Sequence, residues 1–377
     1  MQKKVFALVY LAITLIILAA AVVVLKDRSS LPATEAEYEA VMEKALRPWD
    51  GVKEIAGTAN LLLRPVMSAV DGETVVRTEG NYLLPFHSGI SFDTDLAVRK
   101  VGELRDRCAE QGIPVLFVSF PSKATYTEHS AEEYGIRSDD AQTRARLLEG
   151  IRALGIPTLD MAGVLKDQGR TEEEVFYRTD HHWRTWAGLF AARATAKFLR
   201  DETSAETHPE LLEEERFHMT AFPYGWLGET GRKVSATWAG TLDDYLLYEP
   251  DDDTVFDYAV LSAKTETEGF FSDFIDEDLL SGKPDLYSDS YHYAYMKDVG
   301  AITRLRNETG SGANILMIRD SYAIPVAPFL AMATGELTCW DMRKNSEKLF
   351  SYIDRHSFDA VVIAYTDLWR DEMYDFR

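Results

Sequence analysis

The sequence predicts an α/β protein built on a parallel sheet flanked by helices, with an N-terminal transmembrane helix and an inserted irregular or β subdomain. Three observations lead there. Five short apolar runs alternate with segments of helical spacing between residues 93 and 366, and strands buried on both faces belong to sheets that helices cover. Residues 205–310 interrupt this rhythm with a stretch rich in acid, Gly and Tyr. The first 26 residues hold a long, unbroken apolar run.

That run extends for 21 residues, from Val5 to Leu25, with Lys3 and Lys4 before it and Lys26 after it. A helix needs about 20 such residues to cross the hydrocarbon core. A cleaved signal peptide is the alternative, but its apolar region is usually about 7–15 residues. Residues 1–28 are therefore read as a single-pass anchor in the cell membrane. The leading lysines favour a cytoplasmic N-terminus, which leaves the rest of the chain extracytoplasmic. Residues 29–80 form a stalk and lead-in. It holds a predicted helix, Glu35–Leu46, and runs into an irregular or β-rich stretch, Val52–Thr94, punctuated by Gly72, Gly80 and Gly89.

The main domain, 81–377, repeats one pattern. Asp93–Gln111 spaces Leu96, Val101 and Leu104 as a helix does, and Gly112 separates it from the apolar strand Pro114–Phe120. Asp139–Leu154, Gly155 and Ile156–Asp160 repeat that order, and Trp183–Arg200 is a further helix. After residues 205–310 the alternation resumes: strand Asn314–Arg319, helix Tyr322–Thr334, strand Glu336–Asp341, helix Asn345–His356 and strand Asp359–Thr366.

Composition removes several functions. The chain has 377 residues, 62 acidic and 40 basic side chains and a formal charge of −22. Such an acid excess argues against nucleic acid as a partner. Two cysteines cannot make a disulfide scaffold or a four-cysteine zinc module. Cys108 and Cys339 fall in a predicted helix and strand, where buried free thiols are expected; one disulfide outside the cytoplasm is the alternative. The acidic clusters Glu213–Glu215 and Asp251–Asp253 lack the spacing of a calcium loop and read as solvated turns.

Two motifs can carry chemistry. In Phe176-Tyr177-Arg178-Thr179-Asp180-His181-His182-Trp183, an acid and a base stand two residues apart, just before a helix. If the segment is extended, Asp180 and His182 point the same way and His181 points elsewhere. The plainer readings are that Thr179 or Asp180 caps the helix, or that the histidines are packing residues. A metal reading is also open, since Asp and His are competent ligands, but it needs further clustered ligands, and no HExxH or spaced aspartate set is present. In Ile315-Leu316-Met317-Ile318-Arg319-Asp320-Ser321-Tyr322, an apolar strand runs into a serine. Sites of open parallel sheets lie at the carboxyl ends of strands. Free N–H groups at a helix start stabilise an oxyanion, and a serine there needs a nearby base to become a nucleophile. A simple helix cap by Asp320 or Ser321 is the alternative. Together the two motifs supply Ser, His and Asp, each at an element end.

Thr179-Asp180-His181-His182-Trp183 resembles the motif that names the DHHW protein family, and the Asp-x-His-Trp segment of the alginate O-acetyltransferase proteins. Arg319-Asp320-Ser321-Tyr322 resembles their nucleophile turn, and Phe120-Pro121-Ser122-Lys123 their strand-end Pro-x-Lys loop. Pro328-Phe329-Leu330 and Trp340-Asp341-Met342-Arg343 are similar as well. The likeness runs from about Asn81 to Trp369. It departs at Arg319, where SGNH enzymes carry Gly, and at His181, which the alginate proteins usually replace.

The resemblance implies an SGNH-hydrolase-like catalytic domain with permuted motif order and a Ser321–His182–Asp180 triad. It also implies that His181, Arg178, Tyr322, Lys123 and Arg319 either contact substrate or hold the triad. The implied activity is extracytoplasmic O-acyl transfer, acetyl in the first instance, onto a cell-surface or secreted polysaccharide, with no cofactor and no metal. Since acetyl-CoA is absent outside the cell, a membrane-bound O-acyltransferase is the implied donor partner. A carbohydrate esterase using the same residues, or a non-catalytic carbohydrate-binding or assembly factor, are the rival readings. The Tyr- and Trp-rich segment Tyr224–Tyr248 would suit sugar stacking under all three, with plain core packing as the alternative.

Overall fold

The computed structural model of the chain describes residues 50–376, apart from 71–72, 282–284, 298–299, 308–311, 345–346 and 368–369. The expected anchor, 1–28, and the predicted helix Glu35–Leu46 lie outside the described residues. Among the described residues no helix is long and apolar enough to cross a membrane.

Helix α1 (Asp50–Leu63) leads into a three-stranded antiparallel sheet of β1 (Met67–Val70), β2 (Glu73–Arg77) and β3 (Leu83–His87). The expectation for 52–94 was strand or irregular chain, so α1 is a correction. Its Gly57 looks like a breaker in the sequence. In the fold it lets Ser235 press against the helix: an added Cβ would fall 1.7 Å from Ser235 Oγ.

The five apolar runs become β4 (Val115–Ser119), β5 (Thr158–Asp160), β11 (Asn314–Arg319), β12 (Glu336–Asp341) and β13 (Ala360–Tyr365). They pair in parallel in the order β5-β4-β13-β11-β12. Successive residues face opposite sides of a strand, and both sides here are covered. Val362 and Ala364 of β13 join one core with Leu116, Val118, Ile315 and Met317. Val361 and Ile363 join the other with Phe117, Leu316 and Ile318. Each such Val or Ile contributes roughly 1.5–3 kcal/mol by leaving water.

Helices α2 (Thr94–Ala109) and α3 (Asp140–Ala153) cover the second core, and α4 (Thr185–Glu202) covers the first. The Asp93 carboxylate starts α2 by accepting from Leu96 N, and Ala97, Val101, Leu104 and Cys108 form its buried stripe. Cys108 and Cys339 are both free and buried; burial pushes each thiol up to about 12.

The main sheet is mixed rather than wholly parallel, and part of residues 205–310 belongs to it. Strands β8 (Val255–Val260), β9 (Thr265–Phe270) and β10 (Ile302–Asn307) extend it beyond β12 by antiparallel pairing. Strands β6 (Phe217–Trp226) and β7 (Asp243–Pro250) form a long antiparallel pair of their own. The pattern is weakest in β9, the outermost strand, where Thr265, Glu266, Thr267 and Glu268 are all exposed.

Candidate active site

The polypeptide leaves the sheet at Arg319, the last residue of β11, and Ser321 opens a single 3₁₀ turn, Ser321–Ala323. The expected continuous helix Tyr322–Thr334 is broken there. Pro325 has no N–H to continue the hydrogen-bond ladder, and the helix proper, α5, starts later (Ala327–Met332). Asp320 braces the turn: Oδ1 accepts from Tyr322 N at 2.8 Å and Oδ2 from Thr366 N at 2.6 Å. Burial pushes its carboxyl up to about 6.

The second motif forms a loop pinned by one bridge between Phe176 and Trp183. Trp183 Nε1 donates to the Tyr322 carbonyl at 2.9 Å, which ties the two motifs together. His182 Nε2 stands 2.9 Å from Ser321 Oγ, and His182 Nδ1 stands 2.6 Å from Asp180 Oδ1. The three residues thus make an unbroken Ser–His–Asp relay. The contact between Asp180 and His182 does not arise from an extended segment. The Asp180 carboxylate also accepts from the His182 peptide N–H at 2.8 Å, an Asx turn that folds the two side chains together.

The electrostatics suit a base. Asp180 is fully buried and His182 nearly so. Burial alone would raise the Asp180 carboxyl, but His182, by charge and hydrogen bond, pulls it well below the usual range, helped by His181 and His292. His182 is pushed well below its ordinary value by burial and by the neighbouring His181 and His292, against the pull of Asp180. An ionised Asp180 therefore faces a neutral His182 at pH 7, with the proton on Nδ1 and the Nε2 lone pair toward Ser321. The oxygen and nitrogen atoms of Asp180, His181 and His182 lie close enough together to suggest a metal cluster. However, both ring nitrogens of His182 already have partners, Asp180 and Ser321, and a cation on Nε2 would have to displace the serine.

Sequence reasoning missed His292, on a 3₁₀ turn (Tyr291–Tyr295) of the 205–310 segment. Its ring stacks on His182 at 3.5 Å and 12°, and its Nε2 lies 2.6 Å from the Ser321 carbonyl. Burial brings it down to about 4. Also missed were the groups that hold the loop. Asp243 accepts from Arg178 N at 2.6 Å and Thr179 N at 2.7 Å. Gly228 N donates to Thr179 Oγ1 at 2.8 Å, and Glu229 N to Asp180 Oδ2 at 2.6 Å. Gly228 and Gly231, a glycine pair in a polar stretch, were the one visible signal. All these groups come from 205–310, so that segment builds the site.

The remaining candidates divide. His181 is partly exposed, its Nδ1 3.9 Å from both Asp180 and Glu229, and its carbonyl accepts from the Tyr322 hydroxyl. Lys123 cannot touch substrate. It is buried, and its ammonium donates to the Leu83 and Arg178 carbonyls at 2.9 and 3.0 Å; burial brings it down to about 7. Arg178 enters through its backbone, which meets Lys123, Asp243 and Leu83 N. Arg319, where a glycine was expected, is buried against Asp341 at 3.1 Å and reaches the Gly300 carbonyl, so it ties strand ends together. The Tyr224–Tyr248 segment is core: Trp226, Trp238 and Tyr245 are buried. Tyr293, edge-on to the His292 ring, is 41% exposed.

Neutral, buried histidines make stability depend on pH. The unfolded chain binds protons on these histidines below about pH 6.5, whereas folded His182 and His292 resist them. The unfolded state therefore binds more protons, and stability is lost as pH falls. The slope is up to about 1.4 kcal/mol per pH unit for each histidine. For His292 the loss runs down to about 4. Asp320 and His87, both raised by their surroundings, act the other way over this range, so the urea midpoint should drop more between pH 7 and pH 5 in the parent than in His292→Gln; equal drops would contradict this.

Residues 94–249 match the family model described as the SGNH hydrolase-like domain of the acetyltransferase AlgX. The matched stretch includes Asp180 and His182 and ends before Ser321. No match was found among curated proteins. Among solved structures, a DHHW family protein from Eubacterium siraeum is 15% identical, with a TM-score of 0.60, covering 80% of this chain and 92% of that one. PatB1 of Bacillus cereus is 17% identical, with a TM-score of 0.64, covering 81% of this chain and 100% of that one. A second PatB1 structure, with a sulfonyl adduct, is 15% identical, with a TM-score of 0.65, covering 82% and 99%. At such identities the structural matches speak for the fold. The chain thus carries an SGNH hydrolase-like domain similar to that of the acetyltransferase AlgX.

Proposed function

We propose that this protein transfers acetyl groups to hydroxyls of a cell-surface or secreted polysaccharide, using Ser321 as nucleophile, His182 as base and Asp180 as its partner. The observation that carries this reading is the relay itself, with 2.9 Å from Ser321 Oγ to His182 and 2.6 Å from His182 to Asp180. In the first half-reaction His182 Nε2 takes the Ser321 proton as Oγ attacks the acyl carbonyl of the donor. The Ser321 peptide N–H is the oxyanion donor this step requires. The tetrahedral adduct collapses, the leaving group departs with the proton from His182, and an acetyl ester stays on Ser321. In the second half-reaction His182 deprotonates a sugar hydroxyl, which attacks the ester; the acetyl sugar leaves and Ser321 recovers its proton. Asp180 holds the ring and offsets the imidazolium charge.

The site opens narrowly. Ser321 is 7% exposed and His182 2%, so little of the relay meets solvent. A cavity of about 460 Å³ on the outer face of α4, lined by Phe190 and Arg193 among others, includes none of the three residues. The test is competition between acceptors. With p-nitrophenyl acetate as donor, sugar oligomers should accelerate turnover and emerge acetylated. Hydrolysis alone, at a rate no oligomer changes, would favour the esterase.

The 21-residue apolar run supports an uncleaved anchor and a catalytic domain outside the cell membrane, with a membrane-bound O-acyltransferase as donor. A mature N-terminus near residue 22, found by sequencing the membrane-isolated protein, would overturn the anchor.

A further inference from the structure

The proposed mechanism uses three side chains, yet a fourth buried polar group lies against two of them. His292 is 2% exposed. Its Nε2 lies 2.6 Å from the carbonyl oxygen of Ser321, which also accepts from Ile324 N at 3.1 Å. A carbonyl oxygen only accepts, so His292 Nε2 carries the hydrogen. The ring lies face to face with His182, centroids 3.5 Å apart and planes within 12°. Ionisable groups that act on it are His182, His181, Asp180 and Arg319, and the Tyr293 ring stands edge-on to it. It is carried by a turn whose Tyr291, Ala294 and Tyr295 are packed into the core, so its position is fixed by residues that never reach the site.

We propose that His292 is a positioning residue of the acyl-transfer centre, one that holds the nucleophile turn and the plane of the base at once; this rests on the triad reading above. Ser321 sits on a 3₁₀ turn of three residues, too short to fix itself by helical hydrogen bonds. The Nε2–H bond to its carbonyl locks the peptide that follows the nucleophile and so fixes the direction of Oγ. The stack meanwhile removes the freedom of His182 to rotate about its Cβ–Cγ bond. Asp180 holds one edge of that ring, and His292 holds its face. A small error in such geometry is costly, because proton transfer needs the lone pair aimed at Oγ. The arrangement also gives the 205–310 segment a role beyond extending the sheet: it delivers the ring that aligns base and nucleophile.

The role predicts a distinctive kinetic pattern. Full-length His292→Gln keeps an N–H near the position of Nε2 but loses the aromatic face. His292→Phe keeps a face but loses the donor. Assayed with p-nitrophenyl acetate, both should lower kcat about tenfold or more while KM stays within about twofold, because binding is untouched and transition-state geometry is not. Labelling of Ser321 by a sulfonyl fluoride should slow in parallel, and His292→Ala, lacking both contacts, should be slower than either. Two variants with native circular dichroism and kcat within twofold of the parent would overturn the proposal, as would a fall in melting temperature with unchanged kcat. Ser321→Ala and His182→Ala, run alongside, separate the cases. If they too are active, the triad reading fails; if they are dead while both His292 variants are normal, this inference alone fails. Should His292→Phe not fold, the kcat and labelling rate of His292→Gln decide.

Discussion

Ser321→Ala is expected to remove acetyl release from an activated ester by roughly 10⁴-fold or more, since triad members act as a unit. The fold should survive: the Ser321 hydroxyl contacts His182, whereas the bracing of the turn comes from Asp320. His182→Ala should be as inactive, and the double variant no worse than either single one. His181→Ala should retain more activity than His182→Ala, because its ring packs on that of His182 at 3.8 Å whereas the hydrogen bond to Ser321 comes from His182. Initial rates of p-nitrophenol release check all four variants. An active His182→Ala beside a dead His181→Ala would reverse the assignment of the base.

Gly228→Ala should be nearly as damaging, although Gly228 takes no part in chemistry. A methyl at Gly228 would lie 2.3 Å from Asp180 Cβ and 2.4 Å from its backbone nitrogen, so one backbone or the other has to move. The two amides beside it, Gly228 N on Thr179 and Glu229 N on Asp180, would move with it. Overpacking of this kind costs typically about 1–3 kcal/mol, and a displaced Asp180 misaligns His182. Activity should fall about 100-fold or more, on the scale of a mispositioned catalytic group. Gly225→Ala is the control, because its new methyl would meet Tyr291 at an ordinary 3.6 Å. Equal activity of the two variants would show that the close approach at Gly228 does not hold Asp180 in place.

The parallel half of the sheet was legible because strands such as Ala360–Tyr365, buried along their whole length, cannot be anything but interior. Helix α2 was legible for a related reason, a buried stripe at helical spacing behind an aspartate cap. Where one face is solvated or the contact is distant, the pattern weakens. Helix α1 hid behind Gly57, whose missing side chain accommodates Ser235 far along the chain. Strand β9 hid because an edge strand with Thr265 to Glu268 all exposed leaves little apolar trace. At the site, Asp180, His182 and Ser321 were readable as residue types at element ends, although the Asx turn that joins the first two was not. His292 had no signature at all: a histidine between two tyrosines on a 3₁₀ turn is indistinguishable, in sequence, from packing. Lys123 and Arg319 were found as residues but their partners were not, since nothing in the chain says that a charged side chain will be buried on backbone carbonyls or on Asp341.

The central claim is that the acyl group passes through Ser321, and a trapped intermediate tests it most directly. The full chain would be mixed with an activated acetyl ester, quenched in acid within the first turnover, digested with trypsin and analysed by mass spectrometry. The account predicts one acetyl group on the peptide from Asp320 to Arg343, localised to Ser321, lost on adding a sugar acceptor and absent from Ser321→Ala. Turnover of the ester with that peptide unmodified at every quench time, or acetylation that persists in Ser321→Ala, would contradict it.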